Sequence, residues 1–238
     1  MATINLLYQT EYAINDKIKI AIPTVQEVLR DEDSYYSLVS IITSMPFDLM
    51  LELDDMGVDY TTINEWELFL MMFPFIQSQD TSLIFKDLDL SKFELFVNEQ
   101  NDTIVLLDED SGVVIDRAIH GQIAATLRKI HHLQKNYRKP GNEEAKKYLL
   151  ERARVKRNRN KNRKEVSNLE SLIIALVNTE QFKYDYDGVQ NLTIYQFNES
   201  VQQIIWKIDY EHRMHGVYAG TINAKEMNQD EFNWLMHK

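Results

Sequence analysis

Ile14–Leu29 reads INDKIKIAIPTVQEVL, and the fold class is decided within those residues. The first half alternates: Ile18, Ile20 and Ile22 fall on one side of an extended chain and Lys17, Lys19 and Ala21 on the other, the period of a half-buried strand. Pro23 then ends the strand by withholding an N–H. Thr24-Val25-Gln26-Glu27 follows at once as a capping box, in which the hydroxyl accepts an early helical N–H and the Glu reaches back to the cap. A short strand pair over 5–22 handing directly to a helix predicts an α+β fold. Moving outward, the same cap logic recurs at Thr62–Glu65, Ser167–Glu170 and Thr193–Gln196, and Ser44-Met45-Pro46 has the form of a helix start with proline in the first turn.

Between these starts the apolar spacing is helical. Leu38, Val39 and Ile42 form one stripe, and Ile115, Ile119, Ile123, Leu127 and Ile130 another. Leu169, Leu172, Ile173, Leu176 and Val177 form a third, and Ile194 to Ile208 carries the stripe of a long C-terminal helix. Asp230–Met236 reads as a short capped helix or turn. Residues 82–115 differ. SLIFKDLDL, KFELFVNE, DTIVLLDE and GVVID are β-rich runs broken at Asn101-Asp102 and Ser111-Gly112, which predicts a small antiparallel sheet. Lys139-Pro140-Gly141-Asn142 is the strongest punctuation in the chain. The expected organisation is an N-terminal α+β domain over 1–135, a basic helical linker or arm over 136–164, and a C-terminal helical module over 165–238.

Composition narrows the function classes. The chain has 238 residues and no cysteine, which excludes disulfides, Cys-ligated metals and a cysteine nucleophile. Seven glycines and four prolines argue against a glycine-rich nucleotide fold. A mean hydropathy of -0.39, no long apolar run and no signal-like N-terminus predict a soluble, intracellular protein without membrane contact. The net charge of -11 is segregated: residues 128–164 hold 15 of the 26 lysines and arginines against three acids, whereas 31–110 hold 19 acids against Lys86 and Lys92. The sharpest run carries Arg152, Arg154, Lys156, Arg157, Arg159, Lys161, Arg163 and Lys164 with no acid among them. A helix there repels itself at i,i+4, so nucleic acid, the chain's own acidic region, or solvent and salt must offset it. Few aromatics interleave, so nucleic-acid contact would be phosphate-dominated.

No catalytic motif is present: there is no nucleophile elbow, P-loop, HExxH or deaminase signature, and a non-enzyme without cofactor or metal is expected. Asp209, His212 and His215 share a helical face without a fourth ligand and read as surface groups. His131-His132 point in different directions on a helix. Asp54, Asp55 and Asp59 read as helix-end and turn residues around Gly57, and Asp108–Asp110 as a hairpin turn. The cluster Trp66, Phe69, Met71, Met72, Phe73 and Phe75 is apolar on more than one face. It reads either as a deeply buried helix or as one whose second face meets another protein or another copy of this chain. Trp66, Phe69 and Phe73, with the eight basic residues above, are the candidate partner-binding residues.

Two stretches carry a resemblance. Ile14–Leu29 continues into YYSLVSIITSMPFDLMLELDDMGVDY (Tyr35–Tyr60), and the second stretch is LIIALVNTEQFKYDYDGVQNLTIYQFNESVQQIIWKIDYEHRMHGVYAG (Leu172–Gly220). Together they resemble the tail assembly chaperone-like proteins of tailed phages and prophages of Gram-positive bacteria. The resemblance implies no catalytic residue. It implies a role in tail morphogenesis in the host cytoplasm, with other phage tail proteins, such as tail-tube or tape-measure protein, as partners and a homo-oligomer as a further expectation. The 82–115 and 145–164 segments are not expected of every such chaperone. They keep a virion structural component of the tail, or a nucleic-acid-binding protein using 152–164, as alternatives.

Overall fold

A computed structural model describes residues 5–98, 103–160 and 167–235. The order is β1 (Glu11–Ala13), β2 (Lys19–Ala21), α1 (Val25–Arg30), α2 (Glu32–Thr43), α3 (Met50–Asp55), α4 (Glu65–Gln77) and α5 (Ser82–Phe85). Then come β3 (Glu94–Asn98), β4 (Thr103–Asp108), β5 (Val113–Ile115), α6 (Arg117–His131), α7 (Glu143–Asn160), α8 (Asn168–Val177), α9 (Tyr186–Val189) and α10 (Ile194–Tyr218). The fold is α+β and mainly helical. An antiparallel β1–β2 hairpin pairs Tyr12 with Ile20, and a three-stranded antiparallel sheet runs in the order β3-β4-β5. Among the described residues no helix is long and apolar enough to cross a membrane.

One hydrophobic cluster runs from Leu6 to Val201 and includes residues on both sides of the basic segment: Ile20, Val28, Phe73 and Ile123 share it with Leu169, Ile173, Ile194 and Phe197. Polar contacts stitch the same two ends. Thr24 and Thr193 each open a helix with a complete capping box and face each other across a β-bridge. Around them Ile194 N–H donates to the Pro23 carbonyl at 2.7 Å and Val25 N–H to the Leu192 carbonyl at 2.9 Å. Glu32, at the start of α2, accepts from Leu169 N–H at 3.0 Å and from the Ser167 hydroxyl, so an N-terminal acid caps a C-terminal helix.

Several local expectations shift. The cap of α4 is Asn64 with Glu67 rather than Thr62 with Glu65: Asn64 Oδ1 accepts from Trp66 and Glu67 N–H, while the Asp59 carboxylate takes Thr61 into a preceding turn. Ser44 closes α2 instead of opening a helix, because its hydroxyl donates back to the Ser40 carbonyl; the next helix starts at Met50. Ser82–Phe85 is a helical turn, not a strand. Adjacent Ile84 and Phe85 are both buried, which a strand would have placed on opposite faces, and the sheet begins at Glu94. The predicted Asn101-Asp102 turn lies outside the described residues. At Ser111-Gly112 the turn is present, with Gly112 at φ +61° and Asp108 accepting from Asp110 N–H and the Ser111 hydroxyl.

α6 is the centre of the packing, touching α2, α4, α10, β2 and β5. Its inner face also buries Arg128 and His120. The Arg128 guanidinium donates to the Thr43 carbonyl and pairs with Glu65 at 2.5 Å, and Lys135 meets the other Glu65 oxygen at 2.7 Å. Burial alone would raise the Glu65 carboxyl; the hydrogen bonds from Lys135 and Arg128 outweigh it and hold the group below its ordinary value. His120 stacks on Phe69 with centroids 4.1 Å apart and lies 3.2 Å from the Ile42 carbonyl. Desolvation pushes its pKa down to about 4, with Arg128 and Lys135 adding to the depression and Glu65 opposing it. His131, bonded to the Tyr35 hydroxyl at 3.0 Å, is pushed down to about 3 by burial.

Two outcomes follow. Thr193→Ala removes a cap and lowers unfolding free energy by about 1 kcal/mol, measured by urea denaturation. Both histidines are neutral in the folded chain and protonate more readily once unfolded, so stability is lost as pH falls below their ordinary value of about 6.5. His120 alone should cost about 2 kcal/mol between pH 7 and pH 5. Denaturation of a His120→Gln variant across that interval should show a flatter pH slope than the parent chain.

Candidate interaction surfaces

The basic segment is helical over Glu143–Asn160, and Asn142 starts it: its side chain accepts from Ala145 N–H at 2.8 Å, directly after the Pro-Gly break. Four positions along one face, Lys146, Leu150, Arg154 and Arg157, turn toward α3 and the loop after it. Leu150 enters a second, smaller apolar cluster with Leu51, Leu53, Tyr60 and Leu68. On either side of that contact the charges pair. Lys146 meets Asp59 at 2.7 Å; Arg154 binds Asp54 and lies 3.3 Å from Asp55; Arg157 meets Asp55 at 3.0 Å. Of the ways to offset the helix's self-repulsion, the chain's own acidic region supplies this one. The hydrogen bond from Lys146, with those from Thr61, depresses Asp59 to about 2, and Arg157 with Arg154 holds Asp55 below the usual carboxylate range. These pairs are exposed, so Leu150 contributes more to docking than any one of them.

The remaining basic residues divide. Arg152, Lys156 and Arg159 are exposed on the opposite face, beside exposed Tyr148 and Val155. Together with Arg138 and Met50 they line an open groove of about 980 Å³. Lys161, Arg163 and Lys164 lie outside the described residues.

Trp66, Phe69 and Phe73 are not on a surface. They are 8%, 3% and 2% exposed within the main core, with Phe69 stacked on Trp66 and on His120 and tilted against Phe73. The helix that carries them is buried on that face because α2 and α6 both pack there. What α4 offers outward is Met71 and Phe75, each about two-fifths exposed. The histidine candidates also separate. Asp209 pairs with Arg213 at 2.7 Å, while His212 and His215 face solvent. Among the described residues no group of three or more His, Asp or Glu is placed to hold a metal ion.

Two apolar surfaces escaped the sequence reading. In the β3–β4 hairpin Leu95, Val97 and Ile104 are exposed, and Val114 adds to the open sheet. The signal was present: Leu95-Phe96-Val97 is apolar at three consecutive positions, so a strand there shows apolar side chains on both faces. The second is the distal half of α10, which runs beyond the core; among the residues of α10, those buried end at Val201. The chain after it folds back along the helix. Trp206 Nε1–H donates to the Asn233 carbonyl at 3.2 Å, and Gln203 to the Trp234 carbonyl at 3.0 Å. Arg213 lies over the Trp206 ring and bonds Glu231 at 3.0 Å. At the reversal Ile222 packs on Gly216, where an added Cβ would meet its Cδ1 at 2.6 Å. Ile205, Phe232, Trp234 and Leu235 stay exposed on this lobe.

Residues 159–237, about a third of the chain, match the family described as YomV second domain, a phage-derived family. No curated protein and no solved structure matches the chain. The similarity is consistent with a phage protein and covers α8 to the C-terminal fold-back.

Leu150→Ala should weaken the seating of α7 by about 2 kcal/mol, the low end for a truncated buried leucine. Arg154→Glu with Arg157→Glu should act more weakly and should lose its effect at about 0.5 M salt, where the Debye length is only a few ångströms. Amide hydrogen exchange over 146–158 reads both.

Proposed function

We propose that this chain is a non-enzymatic phage protein that acts in tail assembly by binding tail-tube or tape-measure protein. The observation that carries the reading is the similarity of residues 159–237 to YomV second domain, a phage-derived family, and that segment holds part of the apolar surface the core leaves uncovered. Ile205, Trp234 and Leu235 on the distal lobe, Met71 and Phe75 on α4, and the outer β3–β4 hairpin offer separate contact areas. Subunits that have not yet polymerised expose hydrophobic stripes, and surfaces of this kind cover them, while a net charge of -11 keeps the complex dispersed. The place of action on this reading is the host cytoplasm during assembly.

Co-expression with neighbouring tail genes tests the proposal. Size-exclusion chromatography should show a tail protein co-eluting with this chain and remaining in solution only in its presence. Ile205→Asp should reduce that recovery without changing the chain's own thermal midpoint. Tail proteins equally dispersed and unbound with and without the chain would overturn the reading. Presence of the chain in purified particles would replace it with a virion structural component of the tail.

A further inference from the structure

We propose that the outward face of α7 is a docking site for an acidic, amphipathic helix of a partner protein. The helix itself supplies the template. Its inward face presents Lys146, Leu150, Arg154 and Arg157, and that face is already occupied by an acidic helix with apolar neighbours: Leu51 and Leu53 in α3, flanked by Asp54, Asp55 and, beyond the turn, Asp59. Two residues further along the chain at each step stand Tyr148, Arg152, Lys156 and Arg159. A shift of two residues rotates the direction by about 200°, so the helix displays a cation-rich pattern on two nearly opposite sides. The closing cation pair repeats at the same i,i+3 spacing, Arg154 with Arg157 inward and Lys156 with Arg159 outward.

The outward set is unsatisfied. Arg152, Lys156 and Arg159 have no carboxylate partner among the described residues. Arg138 joins them from the preceding loop, and Glu151 is the single acid lining the groove. Charge complementarity therefore calls for an anionic occupant. Apolar surface selects its class. Val155 is 44% exposed and Tyr148 is 61% exposed. A phosphate backbone offers nothing to cover Val155, whereas a helix with leucines between its carboxylates covers it as α3 covers Leu150. The proposal rests on the protein-binding reading and assigns it a face and a partner chemistry.

The test uses the full-length chain and a fluorescently labelled peptide of residues 47–61, FDLMLELDDMGVDYT, as the acidic helix. Anisotropy at about 0.05 M salt should show binding that weakens about tenfold at 0.3 M. Arg152→Glu, Lys156→Glu and Arg159→Glu combined should abolish it with the circular dichroism of the chain unchanged. A peptide with its four aspartates replaced by asparagine and Glu52 by glutamine should not bind. Binding that survives the outward triple variant but is lost in Arg154→Glu/Arg157→Glu would mean exchange with the chain's own α3, and overturns the proposal. So would equal binding of the neutral peptide, no binding at low salt, or tighter binding of a single-stranded DNA oligomer that depends on the same three residues. Failure here with tail-protein co-elution intact sinks this face alone; loss of co-elution with peptide binding intact sinks the tail-assembly role alone.

Discussion

Arg128 carries a charge into the interior of the molecule, and Glu65 with the Thr43 carbonyl makes that burial tolerable. Removing either partner of such a pair typically costs 3–5 kcal/mol, roughly, because a charge is left without water or counter-ion. The geometry this demands is long-range. The C-terminus of α2 must present a carbonyl, the N-terminus of α4 must present a carboxylate, and α6 must lie between them. His120 occupies the same layer, stacked on Phe69 and directed at the α2 backbone. α2, α4 and α6, which share the main core with α1, α8 and α10, are thus aligned by polar contacts; apolar packing alone would leave them free to slide.

The second organising feature is the separation of charge. A run of lysines and arginines at helical spacing cannot form a comfortable helix by itself. Here the run docks on Asp54, Asp55 and Asp59 around one buried leucine. Exposed ion pairs are weak singly and screened by salt, so the arrangement sets the register of α7 more than its strength. It also leaves Arg152, Lys156 and Arg159 facing outward. One face of α7 is thus neutralised internally and the opposite one is left open to solvent. The greasy side chains left outside the core on α4, on the hairpin and on the C-terminal lobe fit the same picture.

Much of this was legible in the residues. The hairpin ended by Pro23, the capping boxes at Thr24 and Thr193, the stripes of α6 and α8 and the sheet before α6 all follow from local chemistry. Their signals are short-range: a hydroxyl three residues from an N–H, or a repeat of two or of 3.6. The misplaced features share a cause. Thr62 and Asn64 are both competent caps, and the choice fell to the turn that Asp59 makes. Ser82–Phe85 has strand-like composition, yet two adjacent apolar side chains needed the same core. Trp66, Phe69 and Phe73 are apolar in either environment, and only the position of α2 and α6 put them inside.

By itself, then, the sequence determined most of the segments that are helix or strand, where most of them begin, and that opposite charges would be held apart along the chain. Tertiary structure alone decided which faces those segments spend on each other. It paired Arg154 with Asp54 across a hundred residues, closed Glu32 over the start of α8, and left Arg152, Lys156 and Arg159 without partners among the described residues. The reason is physical: propensity and capping act within one turn of the backbone, whereas burial and ion pairing depend on distances set only after the whole chain has packed.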